Sequence, residues 1–460
     1  MSDRFDVLVI GAGPGGYPTA IRAAQLGLKT ASIEKEKLGG VCLNWGCVPS
    51  KALLKTAELV HKIAHAKDFG IAVSSPEVNF PSVVQRSRKV AAKFEKGVAY
   101  LFKKYGVNRI TGTATITGPN TVTVESTEGT QTYTADHIVI ATGAGPRSFP
   151  GIEPDGDRVV TYREAIVSED KPERITILGS GAIGIEFAYF YNAMGVEVTV
   201  VEGLETIVPR EDPEIGAALL KALKKQGIRF ELGRFVDTVK ADDGSVTTTL
   251  KDGTQLSADR CLVALGITPH TTGIGLESIG VQLDRGFIAI DDFGRTSVSG
   301  VYAVGDCTTR GGLAHTATAQ GHVLAELIAG HHPVAVPYDA IPSCTYCQPQ
   351  VASVGLTEPE ARKAGIEFKI GRFPFSANAK SFGAGTPDGF VKVLIGSPFG
   401  EVVGAHIIGA DATEMIAEYT LARTAELTSD ELLHTVHAHP TAAEVMFEAV
   451  AAAEEVSVHI

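Results

Sequence analysis

Phe5-Asp6-Val7-Leu8-Val9-Ile10-Gly11-Ala12-Gly13-Pro14-Gly15-Gly16 is the stretch from which the rest of the chain can be read. An apolar run broken only by Asp6 reads as a buried strand, and G-x-G-x-x-G at Gly11, Gly13 and Gly16 follows at once. Gly11 permits a tight turn, Gly13 lets backbone approach a pyrophosphate, and Gly16 lets the next helix pack closely on the strand. The start of that helix offers unpaired N–H groups and a positive dipole end to phosphate. An acidic residue is expected about 20 residues on, as acceptor for a ribose hydroxyl, and Glu34 closes the next strand. A glycine-rich turn alone says little. Strand, turn, helix, second strand and terminal carboxylate together predict a dinucleotide site.

The pattern recurs. Arg174-Ile175-Thr176-Ile177-Leu178 leads into Gly179, Gly181 and Gly184, a helical stretch follows, and the strand-like run Val196–Glu202 ends on Glu202 in the place of Glu34. Two complete fingerprints imply two dinucleotides, for which FAD and a nicotinamide are the usual pair. Glu202 favours NAD, because a carboxylate there repels a 2′-phosphate and NADP sites usually place an Arg nearby. Arg210 is the nearest one downstream. The expected fold is therefore α/β, with two Rossmann-like domains whose parallel sheets carry helices on their faces. Three more strand-like runs end in glycine, at Ala141-Thr142-Gly143, at Gly266 and at Gly305-Asp306. From Ile341 the glycine-rich loops stop, and short strand patterns alternate with amphipathic helices. We read residues 1–146 as the first part of an FAD-binding domain, 147–272 as an NAD-binding domain and 273–340 as a segment returning to the FAD domain. Residues 341–460 read as an α+β interface domain.

Composition is compatible with this. The 460 residues suit about three domains. A net charge of -12 argues against nucleic acid as the main partner. No signal-peptide pattern and no long apolar span is visible, so a cytoplasmic protein without a membrane segment is expected. Six Cys in such a length do not make a disulfide scaffold, and in a reducing compartment a close pair is redox-active more often than structural.

That pair lies just beyond Glu34, in Gly39-Gly40-Val41-Cys42-Leu43-Asn44-Trp45-Gly46-Cys47-Val48-Pro49-Ser50-Lys51. Two Cys five residues apart can meet where a chain enters a helix. Thiol–disulfide exchange needs one sulfur open to attack and one able to leave. A helix N-terminus favours the thiolate, and Lys51 adds positive charge one turn on. A zinc site usually has four ligands at shorter spacings, and no second ligand pair stands beside this one, so no metal is expected. A second C-x-x-C, Cys344 to Cys347, reads as incidental, being far along the chain from the first.

Near the C-terminus runs His437-Ala438-His439-Pro440-Thr441-Ala442-Ala443-Glu444. A neutral imidazole held by a carboxylate is a general base with a pKa near working pH, and His439 with Glu444 has that chemistry. Thr441 and Glu444 have equally the spacing of a helix capping box. On the residues alone both readings of Glu444 stand.

These motifs together resemble the class I pyridine nucleotide–disulfide oxidoreductases, and the likeness runs over essentially the whole chain. The members it looks most like oxidise protein-bound dihydrolipoamide to lipoamide and reduce NAD to NADH. The resemblance implies Cys42 as the sulfur attacked by substrate and Cys47 as the one lying against the flavin. It implies a His439–Glu444 base dyad that reaches the cysteines of the other subunit of a homodimer. It also implies Lys51 near flavin N5, Glu186 beside the nicotinamide, and Gly143, Asp306 and Ala314 on the flavin side, with Gly266 on the NAD side. The implied partner is the lipoyl domain of a 2-oxo acid dehydrogenase or glycine-cleavage complex. On sequence alone, Lys51 and Glu186 could be a surface salt bridge, Asp306 a helix cap and His315 a satisfied core histidine. The chain departs from the family pattern at Thr316, where Lys is usual, and at Ile267, where a basic residue is common. Rivals are an NADPH-dependent glutathione-type reductase, which Glu202 disfavours, and a non-catalytic flavoprotein scaffold. A mercuric-ion reductase would carry vicinal C-terminal cysteines, and a soluble transhydrogenase would lack the full pair.

Overall fold

A computed structural model of the chain describes residues 4–74 and 77–460. Its first sheet places parallel strands in the order Asn108–Thr111, Thr30–Glu34, Arg4–Ile10, Gly129–Ile140 and Val301–Ala303. Alternation along Arg4–Ile10 explains its double burial. Val7 and Val9 join the cluster that includes Ala20 of helix Gly16–Gln25 and Leu324 of helix Ala314–Ile328, while Leu8 and Ile10 join the opposite cluster with Val122 and Ile138. A parallel strand covered on both faces must be apolar at successive positions, and this one is. Gly129–Ile140 begins antiparallel to Thr121–Ser126, which pairs in turn with Thr113–Gly118, and ends parallel to Arg4–Ile10.

The second sheet repeats the first. Arg229–Glu231, Glu197–Val201, Arg174–Leu178, Arg260–Val263 and Val159–Val160 lie parallel, the first four in the same relative order as their counterparts, while Val159–Val160 comes first in its unit where Val301–Ala303 comes last. Even the antiparallel meander recurs, as Val236–Asp242, Ser245–Leu250 and Gln255–Ala258. In both units the strand before the glycine turn has its neighbours reached in opposite directions, which leaves a crevice at the strands' carboxyl ends.

The third sheet is antiparallel, in the order Ser343–Thr345, Gln350–Gly355, Val402–Gly409, Phe390–Gly396 and Phe368–Pro374. Helices Ala412–Thr424 and Glu444–Ala453 cover one face. The long helices Cys47–Ala64 and Phe80–Tyr105 pack on each other, and Cys47–Ala64 also packs on helix Ala182–Ala193 of the second unit. The redox loop thus begins beside the first crevice and continues into a helix seated on the second unit.

Candidate active site

The two glycine turns are built alike. Gly11 has φ of 100°, and a Cβ there would lie 2.3 Å from the Ala141 carbonyl oxygen; Gly179 has φ of 96° and would meet the Ala264 oxygen at 2.5 Å. A Cβ on Gly16 or Gly184 would lie 2.0 Å from the carbonyl oxygen of Gly11 or Gly179. Those glycines are required by packing. The middle ones are not: Gly13 has no neighbour nearer than 3.8 Å and Gly181 none within 4 Å. The absent side chain leaves an open cradle over the helix start, the shape a pyrophosphate needs. The carboxylates match as well. Glu34 accepts from the Ala12 and Glu36 N–H groups at 2.8 Å each, and Glu202 accepts from the N–H groups of Ser180 at 2.9 Å and Leu204 at 3.0 Å.

A cavity of about 580 Å³ runs from Gly11, Gly13 and Glu34 past Cys42, Trp45 and Cys47 to Gly143, Asp306 and Ala314. That volume is in the range of cofactor sites. Its donors, acceptors and glycine cradle fit a dinucleotide. Burial pushes the Asp306 carboxyl above its usual value, opposed by the Gly312 N–H it accepts at 2.8 Å. Asp306 therefore caps no helix by side chain; it lies on a 3-10 turn, Gly305–Cys307, facing the cavity.

Cys42 and Cys47 are brought together. Cys42 sits half-buried in a one-turn helix, Gly40–Asn44, and Cys47 is the exposed first residue of helix Cys47–Ala64. Both are free thiols, hydrogen-bonded to each other. The Cys42 S–H donated to it pulls Cys47 below an ordinary thiol value; burial works against this and Lys51 assists. The same bond, with burial, pushes Cys42 far up. The pair is therefore unequal: Cys47 is the thiol favoured to lose its proton and Cys42 the one favoured to keep it.

Lys51 and Glu186 pair with each other, Nζ lying 3.0 Å from both carboxylate oxygens. The pair is not a surface one, since Glu186 is only 7% exposed. Two partners fix it further. The Tyr346 N–H donates to Glu186 at 3.1 Å, and the Tyr346 ring lies 4.2 Å from Lys51 Nζ. Tyr346 stands between Cys344 and Cys347, so the second cysteine stretch, distant in sequence, is adjacent in space. The two cysteines join different cores: Cys347 is buried against the second unit's core and Cys344 packs on the third sheet's. Sequence reasoning missed Tyr346, and also Arg163, whose guanidinium lies 4.1 Å from the Trp45 ring.

His439 Nδ1 and Glu444 Oε1 are 2.8 Å apart, and the other oxygen, Oε2, accepts from the Thr441 N–H at 2.8 Å. Glu444 thus holds the His439 ring with one oxygen and the Thr441 backbone with the other, but no capping box forms. Burial raises the Glu444 carboxyl, but the Thr441 N–H and His439 bring it below its ordinary value. Thr441 itself does not cap the helix; its hydroxyl donates to Ala438, and Ala443 occupies the cap position. His437 pairs with Glu418 at 2.9 Å. Neither His439 nor Glu444 lines the cavity that holds the cysteines. His315 is exposed and bonds the Pro342 carbonyl at 2.8 Å, so the core-histidine reading is corrected: in the first turn of helix Ala314–Ile328 it is His315 that faces solvent. Thr316, at the departure from the family pattern, is buried. Among the described residues no cluster of three or more His, Cys, Asp or Glu is arranged to hold a metal.

Residues 5–321 match the family model described as pyridine nucleotide-disulphide oxidoreductase, and residues 341–450 match that family's dimerisation domain. Dihydrolipoyl dehydrogenase of Rhizobium etli is 46% identical over 472 residues, covering 98% of both chains. The enzyme of the same name from Zymomonas mobilis is 45% identical over 465 residues and covers all of both. Among solved structures, LpdA from Mycobacterium tuberculosis superposes with a TM-score of 0.92 at 27% identity, over 97% of this chain and 99% of that one.

Proposed function

Because the chain belongs to the pyridine nucleotide-disulphide oxidoreductase family, we propose that it oxidises protein-bound dihydrolipoamide to lipoamide and reduces NAD to NADH. The observation that carries this reading is the Cys42–Cys47 thiol pair on the wall of a dinucleotide-sized cavity. The family uses FAD and NAD. Gly11, Gly13, Gly16, Glu34, Gly143, Asp306 and Ala314 would hold the first, and Gly179, Gly181, Gly184, Glu202 and Gly266 the second. NAD suits Glu202 better than NADP does: Arg234, whose backbone bonds Glu202, has its side chain committed to Glu231 and Asp252.

In the resting enzyme Cys42 and Cys47 form a disulfide. His439 takes a proton from one substrate thiol at Nε2, the nitrogen Glu444 leaves free. The substrate sulfur attacks Cys42, the Cys42–Cys47 bond breaks, and Cys47 leaves as a thiolate. The second substrate sulfur attacks the first, closing lipoamide, and Cys42 keeps the second proton. Those steps leave Cys42 protonated and Cys47 as the thiolate, in keeping with the directions in which the two thiols are shifted. Bound FAD supplies the two-electron relay from the thiols to NAD. Lys51, held by Glu186 and Tyr346, keeps positive charge beside both sulfurs.

The base dyad reaches the cysteines from the other copy of a homodimer. The dimerisation-domain match and the absence of His439 from the cysteine cavity support this arrangement. The partner is a lipoyl domain of a 2-oxo acid dehydrogenase or glycine-cleavage complex. Among the described residues no helix is long and apolar enough to cross a membrane. A cytoplasmic setting is part of the proposal, since a chain of 460 residues with six Cys and one close pair has no disulfide scaffold of the kind oxidising compartments favour.

Turnover of dihydrolipoamide with NAD, by purified FAD-loaded protein, tests the reading. Cys42→Ser should keep the long-wavelength thiolate–flavin absorption and lose turnover; Cys47→Ser should lose both. Variants that both turn over like the wild type would overturn the mechanism.

A further inference from the structure

Trp45, the only tryptophan of the chain, sits midway between the two redox cysteines. It is half-buried, lines the cavity and packs against the core of the second unit. The Arg163 guanidinium covers its ring at 4.1 Å, within the range of a cation–π contact. Arg163 is anchored from the other side, its Nη2 lying 2.9 Å and 3.1 Å from the two oxygens of Glu36. The Glu36 N–H donates to Glu34, the acidic residue of the first fingerprint, at 2.8 Å. Arg163 itself is carried on a short helix, Tyr162–Ala165, whose start is closed by a Thr161–Glu164 capping box. A continuous set of contacts thus joins the first nucleotide turn, the edge of the second unit and the middle of the redox loop.

Few other contacts fix that middle. Asn44 bonds Leu38 and Gly40 and accepts from Arg88, all on the Cys42 side. Gly46 has φ of -131° and ψ of -115° and contributes no side chain of its own. Between Asn44 and Cys47 the backbone is held by the Trp45 N–H donating to Val41 at 2.7 Å and the Ser50 N–H donating to Gly46 at 3.0 Å, and the Trp45 ring, faced by Arg163 at 4.1 Å and more distantly by Lys37 at 5.8 Å, is the side-chain anchor.

We propose that Arg163, held by Glu36, is a positioning residue that fixes Trp45 and through it the approach of Cys42 to Cys47. This rests on Cys42–Cys47 being the redox pair. Cys47 is faced by Cys42, Lys51 and Glu186, and Arg163 by Glu36 with Lys35 and His270 nearby. Arg163 therefore acts on the thiolate by holding geometry. Lys51 is the cation that acts on Cys47 by charge. Where the Cys42 S–H is the first cause of that depression, loosening the loop weakens it.

The test is the pH dependence of iodoacetamide alkylation in the dithiol-reduced, FAD-loaded protein, with Trp45 emission recorded on the same samples. For Arg163→Ala the alkylation midpoint should rise by about one pH unit, a tenfold loss of thiolate below it, and the Trp45 emission should shift to the red. Arg163→Lys should recover part of both. In a Trp45→Leu background the midpoint should already be raised, and adding Arg163→Ala should change it no further. An Arg163→Ala midpoint equal to the wild type's, or an equal shift in the Trp45→Leu background, overturns the proposal. Should Arg163→Ala fail to fold, Glu36→Gln reads the same anchor: a smaller rise supports it and no rise refutes it. A wild-type protein with no depressed thiol midpoint would instead sink the redox reading itself.

Discussion

The most economical use of single atoms in the molecule is at Glu444. One oxygen accepts from the Thr441 backbone, fixing the chain just before helix Glu444–Ala453; the other holds His439 Nδ1. Helix start and imidazole orientation are therefore one constraint. The His437 ring, two residues earlier, is raised above its ordinary value chiefly by its bond to Glu418. His439→Gln removes the base and keeps the side-chain volume. Turnover should fall about 10²–10⁴-fold, with FAD content unchanged; near-normal rates would remove His439 as the base. Glu444→Gln should be milder, because an amide oxygen still accepts from Thr441 while the N–H₂ cannot accept from His439. The motif was legible because its residues lie within one short segment. Its reach was not, since nothing in the local spacing tells whether the cysteines it serves are on the same chain.

Each glycine of the two fingerprints carries its own steric reason, and these reasons separate cleanly at the level of the element. Gly184 lets helix Ala182–Ala193 lie on strand Arg174–Leu178, whereas Gly181 faces open space. Gly184→Ala must displace the helix from the Gly179 carbonyl. It should lower the thermal midpoint and raise KM for NAD by tenfold or more. Gly181→Ala should leave the midpoint near the wild type's and still raise KM for NAD, since its methyl group occupies only the cradle. Thermal melts beside NADH-production kinetics distinguish the two; an unchanged KM in Gly181→Ala would exclude that turn from the nucleotide site. Strands, turns and carboxylates of both units were readable from sequence because every requirement falls within about thirty residues. The contacts that join elements were not. Trp45 with Arg163, and Lys51 with Glu186 and Tyr346, are brought together from separations of more than a hundred residues, and no periodicity records such meetings.

At the scale of the molecule the third sheet meets the second nucleotide unit through a buried charge. Lys392, in strand Phe390–Gly396, one in from the sheet edge, and 1% exposed, reaches Asp212 at 3.1 Å, Glu214 at 2.7 Å and Glu358 at 2.7 Å. Asp212 caps the helix Pro213–Lys225 of the second unit and Glu358 opens the helix Glu358–Lys363, so one ammonium ties three elements. A lysine in an otherwise apolar strand gave the sequence no reason to expect a joint between units. Burial favours the neutral amine, but the three carboxylates outweigh it and raise Lys392 above its ordinary value. Lys392 lowers Glu358, and backbone N–H groups with Lys392 hold Asp212 down against burial. The signs then set a pH window. Stability from the lowered carboxyls is present above their unfolded values, near pH 4, and is lost as pH falls through their depressed ones. Stability from the raised ammonium is complete below its unfolded value and is lost as pH rises through the folded one. Lys392→Met removes the charge, keeps the chain length and leaves Asp212 buried without its cation, a loss of about 3–5 kcal/mol by comparison with other broken buried pairs. Thermal midpoints of wild type and variant should differ by the full amount from pH 7 down to about pH 4, and the difference should shrink between about pH 4 and about pH 2, as the carboxyls take up protons. A deficit of constant size across that range would assign the effect to side-chain packing and leave the charge network without a share in holding the two units together.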